Sequence, residues 1–223
     1  MERPAHGTHG PAGPGRGNGR SASLPGQSVD DVERRADRPF SLPLTTKENP
    51  MMTSSKSERY TSICSPSEMR SLMASFPTGV TIVTAVDSAG RPRGMTCSSL
   101  CSVTLDPPTL LICLRRQSPT LRATQQSGMF AVNLIHAAAR ATAELFASGS
   151  MYRFDRVRWN LDPDSAGPHL LNDAHAVADC RVSGAELVGD HAVVFGEVTR
   201  VTRQPGPTPL LYGLRHYATW RES

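Results

Sequence analysis

Gly94-Met95-Thr96-Cys97-Ser98-Ser99-Leu100-Cys101-Ser102-Val103-Thr104-Leu105-Asp106-Pro107-Pro108 is the stretch that decides how this chain is read. Thr96, Val103 and Thr104 are β-branched, and no Gly or Pro interrupts Met95 to Asp106, so the run reads as one strand closed by an acidic, proline-rich turn. A core strand alternates large apolar and polar side chains, whereas Thr96 to Ser99 are all small. Small residues leave room for a flat ligand against the backbone, with hydroxyls and N–H groups as donors. The alternative is a strand packed tightly beneath a helix, and the stretch alone does not choose.

Outward from it, punctuation is clear. On the N-terminal side, Ser65-Pro66-Ser67-Glu68 has the form of a capping box with proline in the first turn. Met69, Leu72, Met73 and Phe76 follow at helical spacing and predict a short amphipathic helix. Val80 to Ala85 is a β-branched strand, and Asp87-Ser88-Ala89-Gly90 is a turn, giving a hairpin with the opening stretch. On the C-terminal side, Leu110 to Leu114 is a buried strand, Ser118-Pro119-Thr120 starts a helix that ends near Ser127-Gly128, and Met129 to Leu134 is a strand. His136 to Ala147 reads as helix, and His175–Leu187 and His191–Val201 as long strands joined at Val188-Gly189-Asp190. Leu210 to Tyr217 is the last strand. About seven strands without regularly interposed helices predict an antiparallel barrel with short peripheral helices, as one domain over residues 60–223.

Residues 1–59 read as a disordered N-terminal tail. The first fifty residues hold seven Gly and seven Pro with almost no periodic apolar positions, too little to offset the entropy of ordering. Gly13-Pro14-Gly15-Arg16-Gly17-Asn18-Gly19 lacks the spacing of a nucleotide loop and follows no strand. Met51-Met52 offers an alternative start.

Composition narrows the function classes. A net charge of +4 and a pI near 9.0 suit anionic small ligands, and no Lys/Arg block or aromatic platform points to nucleic acid. No run approaches a membrane span or a signal peptide, and five cysteines without framework spacing suit a reducing, cytoplasmic setting. Cys97 and Cys101, four residues apart on a strand, are about 13 Å apart, which is too far for a disulfide and poor for a shared metal. On a continuous strand they share a face with Ser99 and border the slot, or are simply buried small side chains. No metal site is expected.

Taken together, Phe76-Pro77-Thr78-Gly79-Val80-Thr81-Ile82-Val83-Thr84, the opening stretch, Phe130 to Leu134, Leu145-Phe146-Ala147, Phe154-Asp155, Gly189-Asp190-His191, Gly196-Glu197-Val198 and Pro209 to Tyr212 form an ordered set. In that order and spacing the chain resembles the short-chain flavin reductases that serve two-component flavin-dependent monooxygenases. The resemblance implies an FMN-binding split β-barrel, a homodimer, and flavin held near the subunit interface. It places Pro77, Thr78, Gly79, Val80, Met95, Thr96, Cys97, Ser98, Ser99 and Ser102 along the flavin. The family usually has Asn and Phe where this chain has Ser98 and Leu100.

The start of the helix at Ser118 and Thr120, together with Ser99, supplies anion donors for the flavin phosphate, and Arg115 or Arg116 a charge-assisted contact. A purely capping Ser118 with solvated arginines is the plainer alternative. The Gly-Asp-His motif implies Asp190 at the flavin and His191 where the nicotinamide docks, as the catalytic residue. Alone, His191 reads as a strand-end histidine after a turn. No Gly-rich dinucleotide fingerprint follows any strand, so NADH or NADPH is expected to bind transiently over the flavin. The expected activity is hydride transfer from NAD(P)H to FMN or FAD, with the reduced flavin passed to a partner monooxygenase. A flavin carrier or redox sensor without turnover is the alternative, and an oxidase of a pyridoxine phosphate ranks behind both.

Overall fold

The computed structural model describes residues 63–220. The expected tail lies outside the described residues. The first helix, α1 (Pro66–Ala74), forms for the predicted reason: the Glu68 N–H donates to Ser65 Oγ at 3.2 Å and the Ser65 N–H to Glu68 Oε2 at 2.8 Å. Its apolar stripe is not buried, and Leu72 keeps 64% of its surface exposed.

Twelve strands and two further helices follow: β1 (Thr78–Gly79), β2 (Thr81–Val86), β3 (Pro92–Cys97), β4 (Cys101–Leu105), β5 (Pro108–Arg115), α2 (Pro119–Ser127), β6 (Met129–Ile135), α3 (Arg140–Ala147), β7 (Trp159–Asn160), β8 (His169–Leu170), β9 (Ala174–Val188), β10 (His191–Arg203), β11 (Leu210–Gly213) and β12 (His216–Thr219). Seven make one antiparallel sheet in the order β3-β2-β6-β9-β10-β5-β4, beside a three-stranded sheet β1-β11-β12 and the pair β7-β8.

This topology corrects the reading of the opening stretch. It is not one strand but two, at opposite edges of the same sheet, joined by Ser98-Ser99-Leu100. Laid flat, seven strands would hold those edges about 29 Å apart. The path from Cys97 to Cys101 reaches only about 14 Å. The sheet therefore curls on itself, giving the mainly β, split-barrel architecture that the sequence predicts. Ser99 ties the seam. Its Oγ accepts from the Cys113 N–H at 2.9 Å and donates to the Cys113 carbonyl at 3.2 Å, replacing the strand pairing that β3 and β5 lack there.

The curl has a core on each face. Inside are Val83, Ile112, Leu114, Phe130, Val132, Cys180 and Val194. Outside, Ile82, Ala131, Ile135, Phe146, Phe154, Leu170 and Val177 pack beneath α3 and the 154–170 stretch. β2 is covered on both faces and buried from Thr81 to Ala85, and its two threonine hydroxyls donate to the Cys97 and Pro168 carbonyls. The outer layer is pinned by polar side chains. The Asn133 amide donates to Ile82 O and Thr84 Oγ1 and accepts from the Leu170 N–H. Asp179, fully buried, accepts from His169, the Ala166 N–H and Arg200.

Other differences are local. The segment after His136 opens as a 3-10 turn, Ala137–Ala139, and is α-helical only from Arg140. The last strand is a hairpin, β11–β12, turning at Leu214 and Arg215 with φ of 50° and 64°. The Leu214 N–H donates to the Ala74 carbonyl at 2.6 Å, which holds that unusual leucine conformation.

Candidate functional site

A cleft of about 700 Å³ opens beside β3. Its floor is Val80 and the β3 backbone from Pro92 to Thr96. One wall is Arg115 with Ser118, Pro119 and Thr120 at the start of α2. The second is Phe146 and Ala147 at the end of α3 with Met151, Arg153 and Phe154, and the rim is Tyr212 and Tyr217. The volume lies in the range of small-molecule sites.

Each wall has a local cause. Ser118 caps α2 by accepting from the Leu121 N–H at 2.9 Å, so its O–H remains free to donate. The first turn of such a helix also points N–H groups without intrahelical acceptors, and the positive dipole end, into the cleft. Thr96 donates from Oγ1 to the Ala143 carbonyl at 2.6 Å, which fixes α3 over β3. Phe146 meets Phe154 edge to face at 5.1 Å. A side chain at Gly94 would approach both rings and Thr84 at about 3 Å, so the space freed by Gly94 is taken by the aromatic wall. Arg153 lies over Phe146 and donates to the Ser150 and Gly94 carbonyls. Burial, then the nearby charge of Arg93, lowers its guanidinium pKa. Tyr212 and Tyr217 stack edge to face at 5.2 Å, with Arg140 over Tyr217.

Of the residues expected at the site, Val80, Met95, Thr96, Ser98, Arg115, Ser118 and Thr120 line this cleft. Cys97 does not. Strand alternation turns it into the inner core, 6% exposed, where burial raises its thiol pKa. Ser99 is committed to the seam, and Ser102 and Cys101 lie beyond it on exposed β4. The crossing at Ser98–Leu100 separates Cys101 from the other two, whereas Cys97 Sγ and Ser99 Oγ still meet at 3.1 Å, neither of them lining the cleft.

Pro77, Thr78 and Gly79 stand one strand away. β1 pairs with β11 so that Thr78 faces Tyr212 in register, and the site above Gly79 is open. His191 lies at the margin of the cleft rather than in it. It is paired across the sheet with Arg115, and its Nδ1 meets Asp190 Oδ1 at 2.8 Å. Directly opposed residues share a face, so imidazole and guanidinium project side by side. The His191 contact, by hydrogen bond and then by charge, holds the Asp190 carboxyl below the ordinary range. The Arg116 N–H donates to the Asp190 carbonyl at 2.9 Å, sewing the Gly189-Asp190 turn to the end of β5.

Sequence reasoning missed Arg93, Phe146, Arg153, Tyr212 and Tyr217 as cleft residues. Motif matches singled out Phe146 and Tyr212 without giving them a place; nothing local marked the others.

A family model described as a flavin reductase like domain matches residues 73–221. The chain belongs to the flavin reductase family. It is 53% identical over 151 residues to a flavin reductase (NADPH) of Lentzea aerocolonigenes, covering 68% of this chain and 88% of that protein. It is 44% identical over 153 residues to a flavin reductase (NADH) of Kitasatospora aureofaciens, covering 67% and 79%. Among solved structures, the Streptomyces globisporus C-1027 NADH:FAD oxidoreductase SgcE6, in complex with NAD and FAD fragments, superposes with a TM-score of 0.65 at 32% identity, covering 72% of this chain and 97% of that one. Within a flavin reductase of this fold, the cleft beside β3 has both an apolar, aromatic slot and a cationic, N–H-rich end.

Proposed function

We propose that this protein is an NAD(P)H:flavin oxidoreductase, moving hydride from a nicotinamide cofactor to FMN or FAD and supplying reduced flavin to a separate monooxygenase. The observation that carries this is the cleft, where a flat floor at β3 and an aromatic wall converge on the N-terminus of α2 in a flavin reductase chain. A flavin accepts hydride at its ring system when a nicotinamide is stacked on it, so the protein's task is positioning. Ser118 and the first N–H groups of α2 bind the phosphate, with Arg115 adding charge. Met95, Phe146 and the β3 backbone hold the ring plane. His191, beside Arg115, orients the nicotinamide carboxamide and offers positive charge near the reduced flavin.

The working form we propose is a homodimer. Val103 and Leu105 on β4 and the apolar stripe of α1 are solvent-facing in the single chain, with Leu105 89% exposed. Five unpaired thiols fit a reducing cytoplasm. The test is to follow absorbance at 340 nm with NADH or NADPH and added FMN or FAD. Flavin-dependent oxidation supports the reading; tight flavin retention with no oxidation of either cofactor replaces it with a carrier or sensor.

A further inference from the structure

A second, smaller basin of about 160 Å³ adjoins the cleft, sharing Arg93 and Pro119 with it. Its other lining residues are Asp87, Ser88, Arg91, Arg122, Ala123 and Gln126. Two elements build it. The Asp87–Gly90 turn is locked by Asp87 Oδ1, which accepts from the Ala89 and Arg91 N–H groups, both at 3.0 Å. The face of α2 meets that turn through Gln126, whose Oε1 accepts from the Ser88 N–H at 3.4 Å.

Three guanidiniums and one carboxylate meet there. Asp87 Oδ2 accepts from Arg91 Nε at 3.1 Å and from Arg93 Nε and Nη2 at 3.0 and 2.9 Å. The Asp87 side chain is only 12% exposed, so it acts as a backing that orients two arginines. The Arg91 N–H, ahead of the Arg93 guanidinium and the Ala89 N–H, holds its carboxyl down to about 2, outweighing the opposing push of burial. The backing is therefore anionic at neutral pH. After it is satisfied, the terminal nitrogens of Arg91 and Nη1 of Arg93 remain available. Arg122 makes no side-chain hydrogen bond or ion pair among the described residues. The balance of the cluster is two positive charges, which matches a phosphomonoester dianion, and arginine forks suit phosphate geometry. The basin is too small for a nucleoside and is continuous with the slot in which the rings would stack.

We propose that the Arg91–Arg93–Arg122 basin binds the 2′-phosphate of NADPH, making this reductase selective for the phosphorylated dinucleotide. The proposal rests on the reductase reading above and adds the choice of hydride donor. One source competes for the same chemistry, the 5′-phosphate of FMN, which the geometry of α2 assigns to the Ser118 end instead.

The experiment compares kcat/KM for NADPH and NADH in the wild type, Arg122→Ala, Arg91→Ala and the double variant. Binding of 2′,5′-ADP and 5′-AMP is measured in parallel by calorimetry. Arg122 is exposed at the helix surface, so its loss spares the fold. The expected results are a wild-type preference for NADPH, a fall of about tenfold in the NADPH/NADH ratio for each single variant, and weakened 2′,5′-ADP binding relative to 5′-AMP. Arg122→Lys should restore part of the ratio. A wild type that oxidises both cofactors but prefers NADH, or variants with an unchanged ratio, would overturn the proposal while leaving the reductase reading intact. Variants that raise KM for FMN but not for riboflavin, at an unchanged cofactor ratio, would reassign the basin to the flavin phosphate. A wild type that oxidises neither cofactor overturns both readings.

Discussion

Replacing Ser99 with alanine separates two roles for the same hydroxyl. As a flavin-phosphate donor, Ser99 would matter to flavin affinity and little to stability. In the structure it closes the barrel seam, bonded to both the N–H and the carbonyl of Cys113. Ser99→Ala removes both bonds to the Cys113 backbone, each worth about 1 kcal/mol net, together with the weaker contact to Cys97 Sγ at 3.1 Å, and leaves the Cys113 N–H without an acceptor. Cys113 is half-buried, so water repairs part of the damage, and the expected cost is about 2 kcal/mol. For a domain of this size that corresponds to a fall in Tm of about 4–8 °C. Calorimetry with and without FMN, alongside a flavin titration, provides the assay. A Tm within 1 °C of wild type combined with a large loss of flavin affinity would refute the seam assignment.

Three further outcomes follow from the geometry. Gly196→Ala puts a Cβ 2.4 Å from Cζ of fully buried Phe130 and 3.0 Å from the Cys180 Cβ, so urea unfolding should show a loss of about 2–3 kcal/mol; an unchanged midpoint would contradict the packing described. Burial pushes the Asp179 carboxyl up, but the contacts from His169, the Ala166 N–H and Arg200 outweigh it and leave it below the usual range. A depressed native pKa stabilises the fold above the unfolded value, so stability should fall as pH drops below about 4, and Asp179→Asn should flatten that decline; parallel pH profiles for the two proteins would remove Asp179 as its source. His191→Ala should lower kcat/KM for the nicotinamide cofactor about tenfold while flavin affinity changes less than twofold, and identical steady-state kinetics would take His191 out of the site.

Local chemistry made parts of this molecule legible. Ser65 with Glu68, and Ser118 with Gly128, set the ends of α1 and α2 through contacts within a few residues, and the sequence carries those signals whole. The continuous apolar run Leu110 to Leu114 marked a buried strand, and in β5 Ile112 and Leu114 are fully buried. The crossing at Ser98-Ser99-Leu100 carried no such mark. Small hydroxyl residues suit a strand as well as a bend, and what breaks the strand there is the closure of a sheet whose far edge is β4. The same closure decides the fate of Cys97 and Ser99, which share a motif with Met95 and Thr96 but face the inner core and the seam. Arg153, Phe146 and the β11–β12 tyrosines reach the cleft from parts of the chain distant in sequence, and only the folded topology brings them to β3.

Every role assigned to these residues depends on flavin lying in the cleft between β3, the end of α3 and the start of α2. The most direct measurement is a crystal structure of the protein with FMN. Isoalloxazine density is expected against Met95 and Phe146, with the phosphate at Ser118 and Thr120. Density for the ring elsewhere, with this cleft occupied only by solvent, would contradict it.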